Sequence, residues 1–122
     1  MNDSDETVRT ALREERDETV RLIEQLSSRL EAVIEATADS SSDDEHDPEG
    51  STLAVERGQL VAQLERSRVR LDELDEATAR LESGTYGRCE TCGRPIAPAR
   101  LEALPAARLC ITCATRNPSR RW

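Results

Sequence analysis

The sequence predicts a mainly α-helical protein: a long antiparallel two-helix coiled-coil hairpin, followed by a small C-terminal module that contains every cysteine of the chain. Three observations support this prediction. Two long segments space their apolar residues three and four apart, a short acidic segment separates them, and only 2% of the residues are aromatic. So few aromatic side chains argue against a large globular core, whereas 34% charged residues with mostly aliphatic hydrophobic ones suit exposed helices with one apolar stripe.

The first predicted helix covers residues 5–37, approximately. Its apolar stripe runs through Ile23, Leu26, Leu30 and Val33, and Leu12 lies on the same stripe further back. No proline or glycine interrupts the segment. A helix of about 30 residues is roughly 45 Å long.

The connecting segment, residues 39–50, carries six carboxylates and no arginine. Its composition predicts a turn, so the hairpin has an acidic tip, and the simplest reading is a solvated loop that like charges hold open. Asp47 can cap the second helix with Pro48 at its first position, and Ser51 is a competing cap. The single histidine, His46, is expected to be exposed to solvent and not to bind metal.

The second predicted helix covers residues 48–83 and has the clearer heptad pattern. Gly58 inside it costs about 1 kcal/mol relative to alanine, and Gly84 suits a left-handed helix stop. Steps of four and three predict a coiled-coil seam, in which six of nine positions are leucine. The seam positions are Leu53, Arg57, Leu60, Leu64, Ser67, Leu71, Leu74, Thr78 and Leu81.

Two helices of similar length that are joined by a short polar turn are expected to fold back on each other, which makes residues 1–83 a hairpin. A two-helix hairpin buries only one seam, so it needs the C-terminal module or a partner for stability. We expect a monomer. The alternative is that two hairpins pair as a four-helix bundle.

The cysteines form two Cys-x-x-Cys pairs, separated by seventeen residues. This spacing is typical of a four-thiolate zinc site, in which tetrahedral zinc has no open position and stabilises a fold without catalysing a reaction. The alternatives are two disulfides or four idle thiols; disulfide frameworks belong to small secreted domains, and the N-terminus does not resemble a signal peptide. We therefore predict one structural Zn²⁺ in a four-cysteine zinc finger at residues 84–116, held by Cys89, Cys92, Cys110 and Cys113, with Gly87 and Gly93 in its turns.

The net charge of −8 is unevenly distributed. Residues 84–122, which include a basic tail at 117–122, contain seven arginines and two glutamates, whereas residues 1–83 contain ten arginines and twenty-three acids. An acidic hairpin does not suit wrapping around DNA, because phosphate binding needs a basic surface. No apolar run is long enough to span a membrane. We expect a cytoplasmic protein with reduced thiols.

Residues 84–113 match a longer pattern than the cysteines alone. It reads Gly84-x-Tyr86-Gly87-x-Cys89-x-x-Cys92-Gly93-x-x-Ile96, then Arg100-Leu101-Glu102-Ala103-x-Pro105, then Cys110-x-x-Cys113. This pattern, directly after a helical hairpin with Asp47-Pro48 at its tip, resembles the zinc-finger signature of the DksA/TraR family.

The resemblance implies a transcription regulator that binds bacterial RNA polymerase without binding promoter DNA. The zinc-containing end would dock at the rim of the polymerase secondary channel, and the coiled coil would reach into that channel. Acidic tip residues, here Asp44, Asp47 and Glu49, would approach the active centre. The basic finger suits an acidic docking rim, with Arg88, Arg94 and Arg100 as candidate docking residues.

The chain departs from the family pattern at two places. Where well-described members carry a second tip aspartate and then an alanine, this chain has Gly50 and Thr52, so its tip activity is in question. Where members that respond to guanosine tetraphosphate carry two basic residues, it has Leu104 and Ala114. We therefore expect weak or absent binding of this alarmone.

Two other functions fit the residues alone: a zinc finger that binds nucleic acid through its arginines, and an adaptor whose helical arm associates with another coiled coil. Salt-dependent binding to bare nucleic acid would indicate the first, and stable self-association the second. We do not expect an enzyme, because no catalytic residues are predicted: the chain has no histidine-bearing site, serine nucleophile motif or phosphate loop.

Overall fold

The computed structural model describes residues 3–39 and 48–117, and the side chains of residues 3–38 and 52–117. Four helices make up this part of the chain: α1 (Asp3–Asp39), α2 (Pro48–Ser83), α3 (Pro98–Ala103) and α4 (Ile111–Arg116). The predicted fold class is confirmed, and the described ranges contain no strand beyond one isolated antiparallel bridge between Arg88 and Pro95.

The start of α2 excludes one of its two candidate caps. The helix begins at Pro48, so Ser51 lies inside it and is not its N-cap. Proline suits the first position of a helix, because the missing N–H would have no partner there. Asp44, His46 and Asp47 lie outside the described residues, as does the side chain of Glu49.

The chain divides into two compact units. We call residues 18–70 the arm unit, and residues 1–17 with 71–122 the finger unit. The two long helices contribute to both units.

The arm unit is held by the predicted apolar seam. Val33 on α1 and Leu60 and Leu64 on α2 are buried, and Ser67 is only 7% exposed. The helices run antiparallel: Leu22 shares a cleft with Arg66, whereas Arg29, about two turns later on α1, donates from Nε to Glu56 Oε1 at 2.7 Å, earlier on α2. Ion pairs this exposed contribute little free energy, so burial of the seam stabilises the unit.

In the finger unit, the start of α1 packs on the end of α2. Leu12 and Leu74 are almost completely buried together with Ala77, Leu81 and Ala106. Arg16, which interrupts the apolar stripe of α1, is exposed and donates from Nε to Asp75 Oδ1 at 2.8 Å. Arg16 therefore forms an inter-helix ion pair with Asp75 where the apolar stripe of α1 is interrupted.

Gly84 ends α2 as predicted. Its φ of +82° lies in the left-handed region, which costs a side-chain-bearing residue free energy. The turn lets the N–H groups of Thr85 and Tyr86 donate to the Arg80 carbonyl at 2.9 and 3.2 Å. The chain then leaves the helix axis and enters the finger.

Across the described ranges, none of the helices carries an apolar stretch long enough to cross a membrane.

Candidate metal centre

The first cysteine pair lies in a tight loop between Gly87 and Gly93, whose φ angles are +84° and +73°. The Cys89 N–H donates to the Arg94 carbonyl at 2.9 Å, and the Gly93 N–H donates back to the Cys89 carbonyl at 3.0 Å. A side chain at Gly87 would also meet Leu101 Cδ1 at 3.5 Å. The glycines thus allow a turn that brings the sulfurs of Cys89 and Cys92 to one side.

The second pair begins α4. Cys110 is the N-cap residue, and its sulfur accepts from the Cys113 N–H at 3.5 Å. A cap followed by one helical turn places residues three apart on the same side of the chain. The Glu90 N–H donates to the Arg108 carbonyl at 2.9 Å, which ties the two cysteine loops together.

The four Sγ atoms lie within 4.8 Å of one another, and those of Cys92 and Cys110 are 3.8 Å apart. Tetrahedral zinc with Zn–S bonds of about 2.3 Å places its sulfurs roughly 3.8 Å apart. All four cysteines are free, and a disulfide needs sulfurs only about 2 Å apart. The cluster therefore fits zinc and excludes the disulfide alternative for this arrangement.

The thiol pKa values differ across the cluster. Burial opposes ionisation of Cys89, but backbone N–H groups of Cys92, Cys110 and Thr91 outweigh it and lower its pKa to about 6. The Cys113 N–H likewise lowers the pKa of Cys110. The pKa of Cys113 is raised, because its thiol donates to the Cys110 sulfur and is buried. Negative charge therefore collects on part of the cluster, and binding of zinc displaces the remaining protons.

Two of the four cysteines belong to a buried apolar cluster. Cys89 and Cys113 are buried together with Ile96 and Leu109, whereas Cys92 is exposed. The Arg100 guanidinium donates from Nε to the Leu109 carbonyl at 2.9 Å, so a long polar side chain holds the segment before Cys110 in place.

Polar contacts join both cysteine loops to α2. Glu90, inside the first pair, lies 3.8 Å from Arg80, and Arg108, two residues before Cys110, lies 3.8 Å from Glu76. Tyr86 donates from its hydroxyl to the Pro105 carbonyl at 2.7 Å, and burial raises the pKa of this phenol. The sequence gives no signal for these pairings, because the partners are ten or more residues apart and belong to no shared periodic pattern.

The candidate docking arginines have different surroundings. Arg88 donates to the Gly93 carbonyl at 3.3 Å, and Arg100 is used internally, as described above. Arg94 is exposed and lines, together with Arg116, a groove of about 530 Å³ beside Cys92 and Cys110. The sequence does not single out Arg116, which lines the same groove as Arg94 because the chain returns through α4.

Known proteins share this arrangement. Residues 84–118 match the model of the prokaryotic dksA/traR C4-type zinc finger. The RNA polymerase-binding transcription factor DksA of Caulobacter vibrioides is 41% identical over 56 residues, 46% of this chain and 39% of that protein. The protein of the same name from Escherichia coli K12 is 28% identical over 99 residues, 78% of this chain and 66% of that one.

A solved structure extends the similarity to most of the chain. The transcription factor DksA2 from Pseudomonas aeruginosa is 35% identical, with a TM-score of 0.52, over 86% of this chain and 81% of that one. The C4-type match and the geometry of the sulfurs together establish one structural zinc, bound by a four-cysteine finger. With the finger matched by its family model and 86% of the chain matched by a solved relative at 35% identity, this chain belongs to the DksA/TraR family.

Proposed function

We propose that this protein binds bacterial RNA polymerase and regulates transcription, and that it is not an enzyme. The observation that carries the proposal is its 35% identity to the transcription factor DksA2, in a match that covers 86% of this chain. Relatives from Caulobacter vibrioides and Escherichia coli are named as RNA polymerase-binding transcription factors. The matched segments span only 39% and 66% of those proteins, so RNA polymerase binding by this chain is a proposal.

The coiled coil is the part that we propose to enter the polymerase secondary channel, in the cytoplasm and as a monomer. A helix of 36 residues is about 54 Å long, which is long enough to reach into a large enzyme. Asp44, Asp47 and Glu49 would then act at the active centre, where carboxylates can influence a bound metal ion, the nucleotide path or basic side chains.

The finger is the part that we propose to dock at the rim of the channel. Arg94 and Arg116 suit an acidic docking surface best, because they line a common groove and neither makes an ion pair within the described residues. Arg88 contributes through its exposed guanidinium, and Arg100 by holding the Leu109 segment in place.

Alarmone binding is proposed to be weak or absent. Leu104 is half-buried, and Ala114 packs against the apolar cluster under the metal site, so neither offers a charge to a phosphate. Isothermal titration of guanosine tetraphosphate into polymerase with and without this protein tests the point. We expect the same affinity in both titrations, and tight binding that requires this protein would contradict us.

A binding assay with purified core polymerase tests the proposed function. The zinc-loaded protein is expected to bind, and Arg94→Glu with Arg116→Glu is expected to weaken binding at least tenfold, about 1.4 kcal/mol. Arg13→Glu, an exposed change on α1 outside the groove, is the matched control and is expected to bind like the parent. Failure of the parent to bind polymerase, together with salt-dependent binding to bare DNA or RNA, would instead support the nucleic-acid-binding module.

A further inference from the structure

The groove beside the metal site combines an apolar surface with positive charge. Its apolar part comes from Pro95 and Ala97, which follow the first cysteine pair, and from Ile111, the first residue of α4. Two arginines line the same groove: Arg94, directly before Pro95, and Arg116, the last residue of α4. Among the described residues that line it, none is acidic. The groove therefore offers an apolar contact and two cations in one place.

Ile111 has a side chain that the finger hardly uses for its own packing. At 67%, it is the most exposed of the large apolar residues in the part of the chain that the structure describes. Cys110 and Cys113, before and after it, pack in the buried apolar cluster of the finger, whereas Ile111 is not part of that cluster. A single exposed apolar side chain is ordinary on a protein surface, so the informative observation is its place beside two arginines.

The two positive charges of the groove are not used within the finger. Arg108 pairs with Glu76 on α2, whereas neither Arg94 nor Arg116 makes an ion pair within the described ranges. Arginines beside apolar side chains are typical of the residues that contribute most to the affinity of protein interfaces. A ligand that fits this groove therefore combines a large apolar group with negative charge.

We propose that Ile111 is the apolar anchor of the docking surface, and that it receives a polymerase segment in which carboxylates flank a large apolar side chain. This inference rests on the function proposed above and names the chemistry of the partner at that site. The apolar side chain of the segment packs on Ile111, Pro95 and Ala97, and its carboxylates pair with Arg94 and Arg116. An isolated anion would use only the arginines and would leave Ile111 in water.

One other role of the two arginines has to be separated from docking. Four thiolates exceed the charge of one Zn²⁺, and Cys92 and Cys110 line the groove, so the arginines would also offset a negative metal site. Arg94→Gln with Arg116→Gln removes both charges, and we expect this variant, saturated with zinc, to bind core polymerase about tenfold more weakly than the parent. A variant that loses zinc affinity but binds polymerase like the parent when saturated with zinc would overturn the proposed use of the arginines.

Ile111→Val and Ile111→Thr form a matched pair that tests the anchor. Both substitutes are β-branched and of nearly equal shape, and they differ by a hydroxyl group in place of a methyl group. We expect the Val variant to lose at most about fourfold in affinity for core polymerase, and the Thr variant to bind about tenfold more weakly than the Val variant, because its hydroxyl is buried without a hydrogen-bond partner. Zinc content and thermal stability are expected to match the parent in both variants, because the residue is exposed.

A photo-crosslinker in place of Thr112, an exposed residue that lines the groove, identifies the partner segment. We expect the crosslinked polymerase peptide to contain aspartate or glutamate beside a large apolar residue. A peptide rich in lysine and arginine would overturn the inference, as would equal binding by the Thr and Val variants of Ile111. In both cases the parent still binds polymerase and the proposed function stands, whereas a parent that does not bind would remove the proposed function and this inference together.

Discussion

The arm unit and the finger unit use different physical means to hold the same two helices. In the arm unit, a single apolar seam through Val33, Leu60 and Leu64 carries the association. In the finger unit, the seam continues through Leu12 and Leu74, but a four-cysteine site, two ion pairs to α2 and the Tyr86 hydrogen bond are added. The finger unit is therefore stabilised by a metal site and by polar contacts between distant segments. The arm unit depends on the repeated apolar residues of its seam.

Loss of a zinc ligand is expected to cause the largest loss of stability, and to affect the finger unit. Cys89→Ser removes a buried thiolate, so zinc is released and the finger unit loses most of its folding free energy, because structural zinc contributes about 10 kcal/mol or more to such modules. Thermal unfolding with zinc quantification checks this, and Thr91→Ser, between the same two cysteines, is the control. A variant that melts like the metal-loaded parent would remove zinc from the account of stability.

Truncation of a buried seam side chain is expected to cause the second-largest loss of stability. Leu74→Ala removes a side chain that is 0% exposed and is expected to destabilise the protein by about 2–5 kcal/mol. Val69→Ala, at a residue on the same helix that is 56% exposed, is the control and is expected to change stability by less than about 0.5 kcal/mol. Urea denaturation of both variants measures the difference, and equal losses would mean that the seam does not carry the association.

Gly58 inside α2 and Gly84 directly after it are expected to respond to alanine in opposite directions. Gly58→Ala adds a methyl group that meets nothing within 4 Å and is expected to stabilise the protein by about 0.5–1 kcal/mol. Gly84→Ala, at a φ of +82°, is expected to destabilise it by about 1 kcal/mol. Thermal melting of both variants checks the signs. A destabilising Gly58→Ala would indicate that this surface is packed against something.

Neutralising the tip is expected to have the smallest effect on affinity. Asp44→Asn with Asp47→Asn removes two charges from the segment that we propose to act inside polymerase, and not from the docking surface. Binding to core polymerase is expected to stay within about twofold, roughly 0.4 kcal/mol, while transcription in vitro changes. Equal transcription from both proteins would reduce the tip to a solvated loop.

Most of the fold could be predicted from the sequence, because the spacing of the apolar residues and the spacing of the cysteines are both local patterns. Three-and-four spacing identifies a helical seam, and Leu60, Leu64, Leu74 and Leu81 are buried as it requires. Arg57, at a predicted seam position, is instead exposed, because a long charged side chain can leave the interface at its edge. The cysteine spacing predicts the metal site for a similar reason: each pair needs only one turn of chain.

The remaining features depend on contacts between distant segments. The pairing of Arg108 with Glu76 and of Arg80 with Glu90 requires the orientation of the finger on α2, which no periodicity encodes. The same holds for the internal use of Arg100, which composition alone presents as one more surface cation. The structure was therefore needed to tell Arg100, which has an internal partner, from Arg94, which is exposed.

Site-specific photo-crosslinking from position 47 to core RNA polymerase tests the central claim most directly. With the zinc-loaded protein, we predict crosslinks to polymerase peptides at the active centre, and their loss in the Cys89→Ser variant. Crosslinks confined to the outer surface of polymerase, or none at all from a protein that retains its zinc, would contradict the proposal that the tip is the working end.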